Sequence, residues 1–424
     1  MMIKKDKCLS CPQLFNLTAY NRIVFCNGKE GNFIDDYDNR QTALNHFQSA
    51  ATKDGFSSNL CKENSLNLQY SDKDMRTYSI HRAINNKTRN LAPNFPSRIF
   101  LFPNYYCNND CRHCFAGDKT KRKGLSLDEA RSMIKDNAKY FNSVHIAGGE
   151  PTLFKDLIEL IRFCKDLGLR VCLYSNCRKM ADLRLAREIV SSGIDLLNVP
   201  LHSHIAEVHD YMTQRKESFR ETVQGIRNLQ RCGFTDIHCM VVVHKKNYQH
   251  LYQITRFLSR IKVKTISFES LVYAGKAVDN LNSLGIKVSK VVKDVEAAFD
   301  FLIKKNIEFF STSFPLCLFN RSYWKYLVNQ RYALLFTNFP HGDSDNPNKR
   351  YKNMGTSLSK KCIDCKLKMF CPGLWFPYYH FFGDDELIPD KDIVLGDILK
   401  YICPITIQNF FIRNETAHRQ APGA

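Results

Sequence analysis

Three cysteines stand at 107, 111 and 114 in the stretch YYCNNDCRHCFAG, and thiols so spaced are either one buried face of a helix or a set of ligands. A helix puts positions i, i+4 and i+7 on one stripe, and free cysteine is among the most buried residue types. The neighbours oppose that reading. Asn108, Asn109 and Asp110 compete for backbone hydrogen bonds and favour turns, Pro103 stands just upstream, and the apolar stripe does not continue for a second turn. The stretch reads as a loop after a strand, with Cys107, Cys111 and Cys114 as thiolate ligands. Iron–sulfur clusters are usually held by four thiolates, so three leave one iron of a cubane to another ligand.

Further polar stretches carry chemistry of their own. Gly148, Gly149, Glu150 and Pro151 follow a predicted strand; paired glycines permit close backbone approach, and the carboxylate can accept from an ammonium group. Ser175 and Asn176 end the next predicted strand, followed by Cys177, which reads as passive despite Arg178 and Lys179 beside it. His202 and His204 alternate at another strand end, with Glu207, His209 and Asp210 after them; such a group suits a divalent metal in a hydrolase, although no second His or Asp cluster completes the set. Near the C-terminus, Cys362, Cys365 and Cys371 have knuckle spacing, and Cys317 offers a fourth thiolate, with Cys403 as a substitute. On residues alone, zinc and an iron–sulfur cluster fit these four equally.

The totals bound the class. The chain has 424 residues and a 44% apolar fraction, enough for a large domain with additions. Its 17 cysteines, without an apolar h-region after the basic start, point to cysteine–metal chemistry in a reducing cytoplasm. No run is long and apolar enough to span a bilayer. Lysine plus arginine exceeds aspartate plus glutamate by 61 − 42 = 19, a field that attracts anions; nucleic acid is one candidate, but no aromatic-plus-basic signature favours it. Cys164, Cys172, Cys232 and Cys239 fall in predicted helices and strands and read as core.

These side chains need a scaffold. SRIFLF, SVHIAGG, LRVCLYSN, IDLLNVPL, TDIHCMVVV and KTISFES read as six strands between 97 and 270, separated by amphipathic helices. Ser126, with Glu129 three residues on, opens the first helix as a capping box, and Gly168, Gly193 and Gly233 stop later ones. This rhythm predicts a parallel α/β array. Ligands collect at the C-terminal ends of such strands, which gathers the cysteine loop, GGEP, SNC and HSH on one rim. After about 275 the alternation is expected to stop, with a helix near 289–305, a polar linker at 339–355 and the cysteine-rich segment. Residues 1–96 are weakly patterned, and their lone pair Cys8 and Cys11 has Cys26 or Cys61 as distant partners.

The C-x3-C-x2-C loop, with GGEP one unit later, resembles the radical S-adenosylmethionine (radical SAM) enzymes over roughly 97–272. The resemblance implies a partial (β/α)6 TIM-like barrel at 97–275. It also implies a [4Fe–4S] cluster on Cys107, Cys111 and Cys114 whose open iron is chelated by SAM, and reductive cleavage of SAM to a 5′-deoxyadenosyl radical that abstracts a substrate hydrogen. By the same resemblance Gly148, Gly149, Glu150, Pro151, Ser175 and Asn176 bind SAM; Cys177 stands where relatives carry glycine. Residues 276–380 resemble the SPASM or twitch extensions, which implies an auxiliary [4Fe–4S] cluster on Cys317, Cys362, Cys365 and Cys371. Trp375 replaces a further SPASM cysteine, so one such cluster is expected, and 381–424 is a tail. Relatives with these extensions imply a peptide substrate and a maturase role first, then small-molecule (sugar, nucleotide or cofactor) biosynthesis or RNA modification, with an electron donor such as flavodoxin or ferredoxin. Outside enzymology, the alternative is a non-catalytic zinc or iron–sulfur binding protein.

Overall fold

The computed structural model describes residues 98–115, 124–138, 141–328, 356–367 and 371–393, with short strands at 15–16, 23–26, 33–37, 65–68 and 337–338. Cys8, Cys11, Cys61 and Cys403, the Cys26 side chain and the 339–355 linker lie outside the described residues.

The six predicted strands form. They are β1 (Arg98–Asn104), β2 (Ser143–Gly148), β3 (Arg170–Tyr174), β4 (Leu196–Pro200), β5 (Ile237–Val243) and β6 (Thr265–Ser270), each parallel to the next. Between them run α1 (Leu127–Asn137), α2 (Leu157–Asp166), α3 (Leu183–Ser191), α4 (Ala206–Thr213), α5 (Ser218–Arg231) and α6 (Leu251–Arg260). The sheet stays open, the partial-barrel form of the α/β class. The Ser126 capping box is present: the Glu129 amide donates to Ser126 Oγ at 3.2 Å and the Ser126 amide to Glu129 Oε2 at 2.7 Å.

The alternation does not stop at 275. Helix α7 (Val288–Lys305) leads into β7 (Glu308–Thr312), parallel to β6, and a two-residue β8 (Leu327–Val328) follows. The reason this unit escapes the pattern is local. Helix α7 ends on Asn306 in the left-handed conformation (φ 52°), where α2, α3 and α5 run into Gly168, Gly193 and Gly233, so the stop signal is weaker in sequence. Helix α4 was likewise concealed by the polar stretch around His204 and Glu207.

Alternate strand residues share a face. Ile99, Leu101, Val144, Ile146, Val171, Leu173, Leu197, Val199, Ile266 and Phe268 are fully buried in one core with Leu160, Ile161, Ala186, Ile189, Ile226, Leu229 and Ile254 of the helices. The opposite face points into the barrel and carries Phe100, His145, Tyr174, Asn198, His238, Ser267, Glu269, Phe310 and Thr312. A closed TIM barrel fills that space mainly with branched apolar side chains; this barrel is lined with polar and aromatic ones.

The C-terminal segment docks on α7. Helix α8 (Phe376–Phe382) buries Tyr378, whose hydroxyl accepts from the Val288 amide at 2.8 Å and donates to Glu386. Glu386 also accepts from the Ser289 amide at 2.8 Å. Among the described residues no helix is long and apolar enough to cross a membrane.

Candidate active site

The cysteine loop leaves β1 and is pinned from several directions. Asp110 and Arg112 amides donate to Thr213 and Met212 carbonyls of α4, both at 2.9 Å. The Lys276 amide donates to the Cys114 carbonyl at 3.0 Å, and its ammonium pairs with Asp110. Arg178 Nη1 donates to the Asn108 carbonyl at 2.6 Å and to Asn109 Oδ1 at 2.8 Å, while its Nε holds Glu221 at 2.5 Å. The exposed Arg215 reaches the Asn108 carbonyl at 3.3 Å. Cys107, Cys111 and Cys114 form no disulfide and are half-buried, and the Asn109 amide donates to Cys107 Sγ at 3.4 Å. A donor on sulfur stabilises its thiolate and tunes a cluster held there.

Gly148 and Gly149 let this loop seat. A Cβ on Gly149 would lie 2.0 Å from the Tyr106 carbonyl oxygen, and one on Gly148 2.4 Å from that of Asn104. The close approach predicted for these glycines is therefore made to the backbone of residues 104–106. The Glu150 amide donates to Tyr106 at 2.6 Å and Asn104 Nδ2 to the Glu150 carbonyl at 3.0 Å. The Glu150 side chain is only 1% exposed. It accepts from Thr152 N (3.1 Å), Thr152 Oγ1 (2.6 Å) and Ser175 Oγ (2.7 Å) on Oε1, and from Asn176 N (2.7 Å) on Oε2. The carboxylate thus ties the end of β2 to the end of β3. Pro151, buried, starts a single 3-10 turn behind it.

Asn176 carries the link onward: its Nδ2 donates to Asn108 Oδ1 at 2.6 Å and lies 3.8 Å from Cys107 Sγ. The cysteine loop, GGEP and Ser175–Asn176 are therefore one hydrogen-bonded unit, as their shared rim predicted. Cys177 keeps a left-handed backbone (φ 64°), where an L side chain costs about 1–2 kcal/mol. Its thiol is fully buried beside Met180, and that burial pushes its pKa well up, which makes it a core group. Cys164, Cys172 and Cys239 are buried as expected; Cys232 is half-buried.

The histidines do not assemble as a hydrolase site. His202 packs edge-on to His113 (4.5 Å between ring centres) and stacks on His209 (5.6 Å), while His204 faces His250. Burial depresses His209 to about 4 and His244 to about 3, so both stay neutral. Among the described residues no three Cys, His, Asp or Glu side chains are set to hold a single metal ion.

Cys317, Cys362, Cys365 and Cys371 do come together. Burial and then the neighbouring thiols push Cys317 up to about 12, and burial foremost lifts Cys371 to about 11. The Gly373 amide donates to Cys371 Sγ at 3.4 Å. Trp375 pairs with Thr356 in a two-residue antiparallel ladder.

The residues that sequence reasoning missed are the clamps. Thr152, Lys276 and Asn280, whose Nδ2 donates to the Arg112 carbonyl at 3.1 Å, had no signal in spacing, and Arg178 was noted only for its charge near Cys177.

None of the seven thiols is tied up in a disulfide, and Cys107 and Cys371 receive backbone donors of the kind that stabilise a ligating thiolate. Among curated proteins the chain is similar to Fe-coproporphyrin III synthase of Methanosarcina barkeri, 28% identical over 49% of this chain and 51% of that one. It is also similar to a probable GTP 3′,8-cyclase of Saccharolobus islandicus, 28% identical over 48% and 65%. The chain thus spans between half and two-thirds of the length of these relatives. Among solved structures, Streptococcus suis SuiB bound to precursor peptide SuiA is 16% identical over 84% of this chain and 95% of that one, with a TM-score of 0.48. Native anSMEcpe with bound AdoMet and Cp18Cys peptide is 17% identical over 75% and 99%, also with a TM-score of 0.48. The family profile described as Radical SAM superfamily matches residues 101–258. That stretch contains the cysteine loop, the glycine–glutamate turn and the Asn176 bridge between them, and by this match residues 101–258 form a radical SAM domain.

Proposed function

We propose that the enzyme modifies a peptide by hydrogen abstraction, with substrate entering the barrel mouth beside the cysteine loop. Cys107, Cys111 and Cys114 would hold the SAM-binding [4Fe–4S] cluster, and Cys317, Cys362, Cys365 and Cys371 an auxiliary one. When bound, the first cluster and SAM supply an electron and the 5′-deoxyadenosyl group that takes the hydrogen. The protein's own work is positional. Glu150 sets Ser175 and Asn176, Asn176 holds Asn108 against Cys107, and Lys276 and Arg178 fix the loop. Ser175 and Asn176, with the turn of Gly148, Gly149, Glu150 and Pro151, form the SAM-facing edge of this unit.

The observation that carries the reading is the convergence of four distant cysteines on a segment docked to the same barrel. Exposed Tyr106 and Phe115 flank the cysteine loop and offer apolar contact to a peptide at the mouth. The electron would come from a small carrier of the flavodoxin or ferredoxin kind, and the reducing cytoplasm suits such chemistry. A small-molecule substrate is the second reading, favoured by the names of the two curated relatives. The test is anaerobic turnover of the reconstituted enzyme with peptides encoded beside its gene, read by mass spectrometry. A mass change dependent on SAM and reductant supports the peptide reading; turnover only of nucleotides or tetrapyrroles overturns it.

A further inference from the structure

One peptide group in the cysteine loop is gripped at its oxygen and aimed at sulfur. It joins Asn108 to Asn109. A trans peptide is planar, so its C=O and N–H point opposite ways and cannot turn independently. The Asn109 N–H donates to Cys107 Sγ at 3.4 Å. The Asn108 oxygen, on the far side of the same plane, accepts from Arg178 Nη1 at 2.6 Å and from Arg215 Nε at 3.3 Å. Whatever fixes that oxygen therefore fixes the donor on Cys107.

Arg178 is the stronger of the two holds. Its side chain is 13% exposed, whereas Arg215 is open to solvent. Arg178 Nη1 also donates to Asn109 Oδ1 at 2.8 Å, so one guanidinium nitrogen spans both residues of the plane. The guanidinium is oriented from outside the loop: its Nε donates to Glu221 of α5 at 2.5 Å. The Arg178 backbone is set as well. The left-handed turn at Cys177 precedes it, and its amide donates to Asn176 Oδ1 at 3.1 Å. Asn176 Nδ2 in turn holds Asn108 Oδ1 at 2.6 Å. Side chain and main chain of Asn108 are thus both tied to residues 176–178. A cation on the carbonyl also polarises the peptide, which makes the opposite N–H a better donor.

A donor on sulfur matters most where charge accumulates. Reduction of a thiolate-held iron cluster adds negative charge that its sulfurs share, so an N–H on one of them favours the reduced form and raises the potential. We infer that the Asn108–Asn109 peptide sets the reduction potential of the centre held by Cys107, that Arg178 is its positioning residue, and that Glu221, outside the loop on α5, acts through Arg178. This rests on the reading of Cys107, Cys111 and Cys114 as cluster ligands.

Charge and position act in opposite directions at Glu221. Loss of a carboxylate raises the potential by charge alone; loss of the Arg178 anchor loosens the peptide and lowers it. The test is an anaerobic redox titration of the reconstituted enzyme followed by electron paramagnetic resonance, read on the signal that changes when SAM is added. Arg178→Gln should lower the reduced-to-oxidised ratio at fixed potential about tenfold, equal to about 59 mV for one electron. Arg178→Lys, which keeps the charge but not the fork, should lower it by less. Glu221→Gln should lower it too, and Arg215→Gln should move it least. Iron content of each sample shows that the centre is present. A Glu221→Gln potential at or above wild type, or an Arg178→Lys potential equal to wild type, overturns the inference. No SAM-responsive signal in wild type overturns the ligand reading and the inference with it; a signal whose potential ignores these substitutions overturns the inference alone.

Discussion

Replacing Glu150 with alanine should unfasten the cysteine loop from the barrel. Four donors converge on this carboxylate, two hydroxyls and two backbone amides. The Thr152 and Ser175 hydroxyls can rotate to other acceptors. The Thr152 and Asn176 amides cannot, and each buried amide left unsatisfied costs about 1–3 kcal/mol. Water admitted to the small cavity recovers part of this, so a loss of about 3–4 kcal/mol is expected, a large share of an ordinary stability of about 5–15 kcal/mol. Glu150→Gln keeps the acceptor for Thr152 and Ser175 but turns an NH2 on the Asn176 amide, so its loss should be near half of that. The assay is urea unfolding followed by tryptophan fluorescence, with SAM affinity measured on the same variants. SAM binding should weaken along with stability, because Asn176 is released from Asn108. A Glu150→Ala protein within about 0.5 kcal/mol of wild type, the scatter of neutral surface changes, would refute the reasoning.

Other consequences are as direct. Gly149→Ala places a methyl 2.0 Å from the Tyr106 carbonyl and should lower iron incorporation at the triad sharply, while Gly168→Ala, with open space around its Cβ, should cost only its strained φ. The neutral histidines give the stability an acid limb. For His209 and His244 the folded pKa lies below the unfolded value near 6.5, so the unfolded chain binds more protons between them. Their stabilisation is complete above about pH 6.5 and lost as pH falls toward 4 and 3; urea midpoints that stay flat between neutrality and pH 5 would contradict this. Tyr378→Phe removes the bonds to Glu386 and Val288 and should destabilise by about 1–3 kcal/mol, seen as earlier unfolding of the C-terminal segment in hydrogen exchange. Cys317→Ser should halve the iron bound while leaving SAM cleavage measurable; full iron content would remove Cys317 from the auxiliary centre.

The barrel was legible because its helices and strands have clean periods and glycine stops. The helix near 289–305 was read, but the strand that follows Asn306, Glu308–Thr312, was not. The rim was legible because residues that follow parallel strands must share one end. The roles within it were less so. Gly149 and Glu150 read as ligand contacts, and spacing gave no sign that they also meet the Tyr106 carbonyl and the Ser175–Asn176 turn. Spacing reveals which residues gather, but not which of them face inward. The clamp by Lys276 spans 166 residues to Asp110, and no local pattern encodes such a pairing. The polar inner face was missed for a related reason: His238, Ser267 and Glu269 lie in strands whose outward residues are strongly apolar, and those dominated the reading.

The central claim is that the loop thiols hold the iron that opens SAM. Its most direct measurement is the yield of 5′-deoxyadenosine from anaerobically reconstituted enzyme given reductant and SAM, compared with a variant carrying alanine at Cys107, Cys111 and Cys114. The account predicts steady product from wild type and none from the variant, whose C-terminal iron persists. Product from the triple variant, or none from an iron-replete wild type, would contradict it.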